Sequence, residues 1–157
     1  MRASLGRRAV TRANVVARGG GRPGRVHVPS DAFQGRSPEI AARDALGRLF
    51  TAVAARAVIA EESEAAIAGG MKPEESERYE VLKKYVEENP IRDGNAWMAA
   101  LMERDDVASR MVALRVLELR KTYAEEVFDF ERVREQVISE VRSENDRLMS
   151  EYVKRLM

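Results

Sequence analysis

The chain has no cysteine and one histidine, His27, in its 157 residues. Without cysteine there are no disulfides, no thiolate metal ligands and no thiol nucleophile. Beyond residue 27 there is no imidazole either. A serine nucleophile there lacks its usual base. A carboxylate-only zinc site would be poor, and a di-iron bundle lacks its Glu-x-x-His pairs. No metal and no cofactor are therefore expected. Aromatic residues make up only 6% of the chain, and prolines number five. No apolar run comes near the roughly 20 residues of a bilayer span, so a soluble protein with no membrane partner is expected. Alternating apolar and polar runs of the kind that make strands are also missing.

What remains is charge and helix-forming sequence. Charged residues are 34% and apolar residues 45% of the chain, whose net charge is +1. That near-neutral value hides an asymmetry. Residues 1–36 hold eight arginines against one acid, Asp31, which leaves the remainder at −6. The first segment, MRASLGRRAVTRANVVARGGGRPGRVHVPSDAFQGR, is Arg-rich, acid-poor and broken by Gly and Pro. It matches an organelle transit peptide, although serine is sparse. It is expected to be disordered, since it has too little apolar surface to offset ordering. The alternative is a basic arm for nucleic acid, which the acidic remainder does not favour. Glycines 19–21 lack the Gly-Lys-Ser/Thr that completes a phosphate loop.

From Ser37-Pro38 onward the pattern is helical and forms one domain over 37–157. Serine suits an N-cap and proline the first helical position. Leu46, Leu49, Val53, Ala57 and Ala60 form one stripe, and Phe50, Ala54 and Val58 a second. Gly69-Gly70 is expected to end this helix. A second helix starts near Lys72-Pro73, carries Tyr79, Leu82, Tyr85 and Val86, and stops at Pro90. Ile91 to Trp97 reads as a turn, and Trp97, Met98, Leu101 and Met102 as a short third helix. Asp105 or Asp106 caps the fourth helix. Val107, Met111 and Leu114 form one of its stripes. Val112, Val116, Leu119, Tyr123 and Val127 form the other. Apolar residues on nearly all sides predict a central, buried helix. Asp129 offers a cap where Phe128 to Phe130 interrupt it. Val133, Val137, Val141, Leu148, Tyr152 and Leu156 then keep a narrow seam to the C-terminus. Such a seam predicts a dimer interface or a long antiparallel packing.

The carboxylates at Glu61, Glu62, Glu64 and at Glu74, Glu75, Glu77 read as solvated helix ends. Arg56, Arg110 and Arg115 sit among apolar helical residues. They could snorkel, form internal ion pairs, or grip a partner's carboxylates through the planar guanidinium.

The stretch Glu87–Val133, EENPIRDGNAWMAALMERDDVASRMVALRVLELRKTYAEEVFDFERV, resembles the middle of plant and algal RbcX proteins. The shared features are the Asn-Pro stop, the acidic turn, an aromatic on the third helix, arginines at 110 and 115, and YAEEVFDFE at Tyr123–Glu131. FTAVAARAVIAEE, from Phe50 to Glu62, is similar to the family's first helix and places Arg56 on its arginine. With the last helix, the likeness covers roughly residues 40–155.

The resemblance implies an all-α homodimeric bundle of four to five helices with a long, kinked C-terminal helix and no enzymatic activity. It implies a Rubisco assembly chaperone of the chloroplast stroma, with residues 1–36 as a chloroplast transit peptide. A cleft across the dimer would take the C-terminal tail of the Rubisco large subunit. By position that cleft includes Leu49, Ala52, Arg56 and Ile91. Corners that touch a neighbouring large subunit include Glu61, Glu64 and Arg110. The dimer would clamp two large subunits until the small subunit displaces it. The family's cyanobacterial members carry tyrosines where this chain has Leu49 and Ala52, so a differently shaped cleft is expected.

Two other readings share the composition. One is a helical adaptor of the same fold for another plastid peptide. The other is a small helical enzyme of the chorismate-mutase kind, which would need Arg56, Arg110 and Arg115 around one enclosed pocket.

Overall fold

The computed structural model describes Val26, Pro29 and residues 35–157. The expected transit segment therefore lies almost wholly outside the described residues. Five α-helices follow in order: α1 (Pro38–Ala68), α2 (Glu77–Glu88), α3 (Gly94–Met102), α4 (Val107–Thr122) and α5 (Phe130–Leu156). A short 3₁₀ turn, Pro73–Glu75, precedes α2. A π-helical segment, Tyr123–Val127, joins α4 to α5. Among the described residues there is no strand, and no helix is long and apolar enough to cross a membrane.

Side-chain caps start four of the five helices. Ser37 Oγ accepts from the Ile40 N–H at 3.3 Å, with Pro38 at the first helical position. Asp93 accepts from Asn95 and Ala96 N–H groups, both at 2.8 Å. Asp106 accepts from Ser109 N–H at 2.6 Å, and Asp129 from Arg132 N–H at 2.8 Å. Each oxygen satisfies donors that have no partner within the helix. At the end of α1, Gly70 has φ +77°, and the Met71 and Gly70 N–H groups donate to the Ala66 and Ile67 carbonyls at 2.9 Å. This paired closure needs a left-handed residue, which glycine takes without a Cβ clash.

The core gathers Ala54, Ala55 and Val58 of α1, Leu82 and Tyr85 of α2, Trp97, Met98 and Leu101 of α3, and Val112, Ala113 and Val116 of α4. In α1 the buried stripe is the one through Phe50, Ala54 and Val58, whereas Leu49 of the other stripe is 43% exposed. Small alanines at 54 and 55 let the neighbouring helices approach closely. At the start of α3 the approach is closer still. A Cβ built on Gly94 would lie 2.5 Å from Thr51 Oγ1 and 2.7 Å from the Gly47 carbonyl oxygen.

Four sequence expectations need correction. The second helix begins at Glu77, not near Lys72-Pro73, where Pro73–Glu75 form only a separate 3₁₀ turn. The third helix begins at Gly94, not Trp97, because Asp93 caps it and draws Gly94 to Ala96 out of the expected turn. The α4 helix packs against α1, α2 and α3, yet only one of its stripes is covered. Val107 is 70% and Leu114 61% exposed, while Val112 and Val116 are buried. On the second stripe the Arg78 guanidinium of α2 reaches the Met111 sulfur at 3.2 Å, and Val107 and Leu114 stay largely uncovered among the described residues. Finally, the break before α5 is more than a cap. The Phe128 N–H reaches back five residues to the Tyr123 carbonyl at 2.8 Å. This wider turn re-aims Tyr123, Phe128 and Phe130 so that all three rings pack edge-on around Phe50, with centroids 5.0 to 6.1 Å from it.

From that cluster α5 runs on for 27 residues, about 40 Å at 1.5 Å per residue. It has no buried residue. Val133, Val137, Val141, Leu148, Tyr152 and Leu156 are all exposed.

Candidate functional site

The turn between α2 and α3 is built by its own side chains. Asn89 Nδ2 donates to the Tyr85 carbonyl at 3.0 Å, which closes α2 ahead of Pro90. The Trp97 indole N–H donates to the Asn89 carbonyl at 2.9 Å, and the Tyr85 hydroxyl to the Trp97 carbonyl at 3.1 Å. The two rings meet edge-on at 4.9 Å. Desolvation by burial raises the Tyr85 pKa above its usual value, which keeps the hydroxyl a donor. The turn is thereby fixed at both ends, and Ile91 is held partly buried against the core.

Leu49, Ala52 and Arg56 lie three and four residues apart on α1, on the face turned away from the core. Leu49 and Arg56 are exposed, and Ala52 is half-buried. The three share one surface, whereas Ile91 sits in the α2–α3 turn, and within the protomer it belongs to the core's edge. Glu61 and Glu64 are exposed near the far end of α1.

Glu61 has a partner within the chain. Arg115 Nε and Nη2 donate to its two carboxylate oxygens at 2.8 and 2.9 Å, and Arg115 Nη1 donates to Glu118 at 2.6 Å. This two-pronged bond holds the Glu61 carboxyl below the usual carboxylate range, mainly through the hydrogen bonds from Arg115. The same bonds push the Arg115 guanidinium upward. Glu62 approaches Arg78 at 3.8 Å. Arg110 is exposed, and its guanidinium donates to the Asp105 carbonyl. Of the three arginines singled out on apolar helices, Arg115 is thus an internal ion-pair member, and Arg56 and Arg110 point to solvent without a carboxylate partner among the described residues. The three do not surround one enclosed pocket.

An arginine-lined cleft lies elsewhere, and no motif in the sequence pointed to it. It has a volume of about 480 Å³ and lies where the start of α1, the start of α3 and the end of α4 meet. Arg36, Arg43, Arg48, Arg92 and Arg120 line it, together with Asp44 and Asp93. These arginines come from three separate segments, so no local motif announces them. Among the described residues there is no group of three His, Cys, Asp or Glu side chains placed to hold a metal ion.

Residues 40–157 match the sequence profile of the family described as RbcX protein. The chain belongs to the RbcX family. It is 32% identical over 129 residues to the chloroplastic chaperonin-like RBCX protein 1 of Arabidopsis thaliana, spanning 82% of this chain and 67% of that one. A solved structure of the Arabidopsis RbcX1 protein superposes with a TM-score of 0.62 at 33% identity, covering 74% of this chain and 97% of the other. RbcX-IIa of Chlamydomonas reinhardtii, crystallised in complex with the RbcL C-terminal tail, gives a TM-score of 0.60 at 35% identity, with 73% and 96% covered. The fold and the family are those that the sequence motifs implied. The Asn89-Pro90 stop and Trp97, which carried the resemblance, are the groups that lock the α2–α3 turn.

Proposed function

We propose that this RbcX-family chain is a Rubisco assembly chaperone that acts as a homodimer on the large subunit. The observation that carries the reading is the apolar surface the protomer leaves uncovered. The α5 seam from Val133 to Leu156 and Leu49 on the outward α1 face are exposed among the described residues. An isolated helix as polar as α5 is only marginally stable in water. Burying about 1.5 kcal/mol or more per large apolar side chain against a second copy would hold it.

Support for the partner comes from the Chlamydomonas relative crystallised with the RbcL C-terminal tail. In this reading, Leu49, Ala52, Arg56 and Ile91 contribute to the cleft that takes the tail, and the dimer brings them together. An extended peptide gains affinity by seating apolar side chains in such a groove while polar ends fix its register. Glu61, Glu64 and Arg110 form corners that touch a neighbouring large subunit. Glu61 would do so as part of its ion pair with Arg115. Residues 1–36 direct the chain to the chloroplast, and the mature protein works in the stroma without a cofactor and without enzymatic activity.

The test is a titration of the full chain with a peptide of the Rubisco large subunit's tail, followed by sedimentation of the complex. Saturable binding by a dimer is expected. Absence of binding at high micromolar peptide would overturn the assignment and favour a helical adaptor for another peptide.

A further inference from the structure

We propose that the arginine-lined cleft between the starts of α1 and α3 is a second binding site, one that takes an acidic stretch of polypeptide. Five guanidinium groups face it against two carboxylates, a surplus of three positive charges. The surplus is local, because residues 37–157 as a whole carry −6. Clustering like charges in a negatively charged body costs stability, and a bound anion offsets that cost.

The two acids leave most of the positive charge unanswered. Asp44 is shared by Arg36 at 3.3 Å and Arg43 at 2.9 Å. Asp93 is occupied in capping α3, and its carboxyl is held below the usual range chiefly by the Ala96 and Asn95 N–H groups, with Arg120 and Arg36 adding to the effect. Arg120 donates only to the neutral Asn95 side chain, at 2.6 Å. Arg48 and Arg92 are exposed and have no carboxylate within ion-pairing distance among the described residues. Three guanidinium forks thus line one cleft with no carboxylate hydrogen-bonded to them among the described residues, and each matches a carboxylate in two-pronged geometry.

The cleft's shape favours polypeptide over a small anion. It holds about 480 Å³, far more than one phosphate fills, and its arginines come from three segments of the chain. A series of carboxylates along an extended peptide answers that layout, whereas a single phosphate would reach only some of the forks. Removal of residues up to 36 would take Arg36 and leave the other four in place.

The test uses the full chain and a labelled oligoglutamate peptide at low ionic strength, with inorganic phosphate as competitor. Saturable binding that weakens steeply with added salt is expected. The double variant Arg48→Gln/Arg92→Gln should weaken it about tenfold, the sum of two exposed charge pairs. Asp44→Asn should tighten it, since it frees Arg36 and Arg43. Retention of the wild-type helical signal confirms that these exposed substitutions leave the fold intact. Equal affinity for wild type and the double variant overturns the proposal, as does no binding at low salt. Phosphate displacing the peptide at comparable concentration overturns it too, in favour of a small-anion site. Arg120→Gln, on α4, should weaken oligoglutamate binding and leave binding of the Rubisco large-subunit tail peptide, measured in parallel, unchanged.

Discussion

Arg115 and Glu61, 54 residues apart in the chain, are joined by two parallel hydrogen bonds of 2.8 and 2.9 Å that tie α4 to α1. Both side chains are about two-fifths exposed, so solvent screens the pair and its contribution is modest. Glu61→Gln should lower the melting temperature slightly at low salt, and the difference from wild type should shrink in high salt. Circular dichroism melts at two ionic strengths check this. An unscreened, large loss would mean that the pair is a core element and not a surface tie.

Acid should reveal the same bond together with the helix caps. Glu61 is held low by Arg115, and Asp93 and Asp106 are held low by backbone N–H groups at the starts of α3 and α4. A carboxyl whose folded pKa is depressed contributes stability above its unfolded pKa, near 4, and loses it as the pH falls through the folded value. Stability is therefore expected to hold from neutral pH to about 5 and to fall progressively below about 4. The single tryptophan, Trp97, is buried and hydrogen-bonded, and its fluorescence reports the transition.

Gly94 has the least room of the described glycines. A methyl group there would meet both Thr51 Oγ1 and the Gly47 carbonyl inside contact distance, and Thr51 Oγ1 is itself tied to that carbonyl at 2.8 Å. The hydroxyl cannot move away without breaking its bond, and the carbonyl belongs to the α1 backbone. Gly94→Ala should cost about 1–3 kcal/mol, the range of overpacking in a filled interior. Denaturant unfolding of the variant measures it, and a neutral or stabilising result would show that α3 can shift along α1.

The α5 seam separates folding from association. Its side chains are exposed and none belongs to the buried core among the described residues, so Val137→Asp with Val141→Asp should leave the α1–α4 core intact. The same change places carboxylates in the interface proposed between copies. Sedimentation should then show a monomer, with the Trp97 emission unchanged. A variant that stays dimeric would move the interface to another face, and the exposed Val107, Met111 and Leu114 stripe of α4 would be the next to test.

The helical class, the chain's helix breaks and the family were legible because they depend on local signals. Ser37-Pro38, Gly69-Gly70, Pro90 and Asp106 act on their own neighbours, and the structure uses each of them as expected. Gly94 misled because an Asp-Gly-Asn run has the composition of a turn, and only the packing on Gly47 shows why glycine is required. Periodicity could not tell which stripe of α4 is covered, since an apolar face looks the same whether its own chain or another molecule lies over it. The Arg115–Glu61 pair and the arginine cleft join residues distant in sequence, so neither leaves a local pattern. The resemblance supplied the proposed cleft and corner residues. The protomer places Leu49, Ala52 and Arg56 on one outward face and keeps Ile91 at the edge of the core.

Ile91 and Arg110 should fail in different ways. Ile91 is partly buried against the core in a turn that the Asn89, Tyr85 and Trp97 hydrogen bonds already hold. A carboxylate there would be pressed against the apolar core residues on which Ile91 packs. Ile91→Asp should therefore abolish binding of the Rubisco large-subunit tail peptide, and Ile91→Ala, which keeps the site apolar, should only weaken it. That pair of variants guards against mistaking a folding defect for a binding defect. Arg110 is exposed, and the Asp105 carbonyl that its guanidinium contacts can be solvated by water instead. Arg110→Ala should stay helical and bind the isolated tail peptide as wild type does. It should nevertheless support large-subunit assembly poorly, because a corner charge lost from a desolvated interface pair costs on the order of 2 kcal/mol or more. Peptide titration and an assembly assay on native gels must then disagree for Arg110→Ala and agree for Ile91→Asp. Unfolding of Arg110→Ala would instead make the arginine part of the α4 start, since its contact is with the residue next to the Asp106 cap. Equal loss in both assays would place it in the groove.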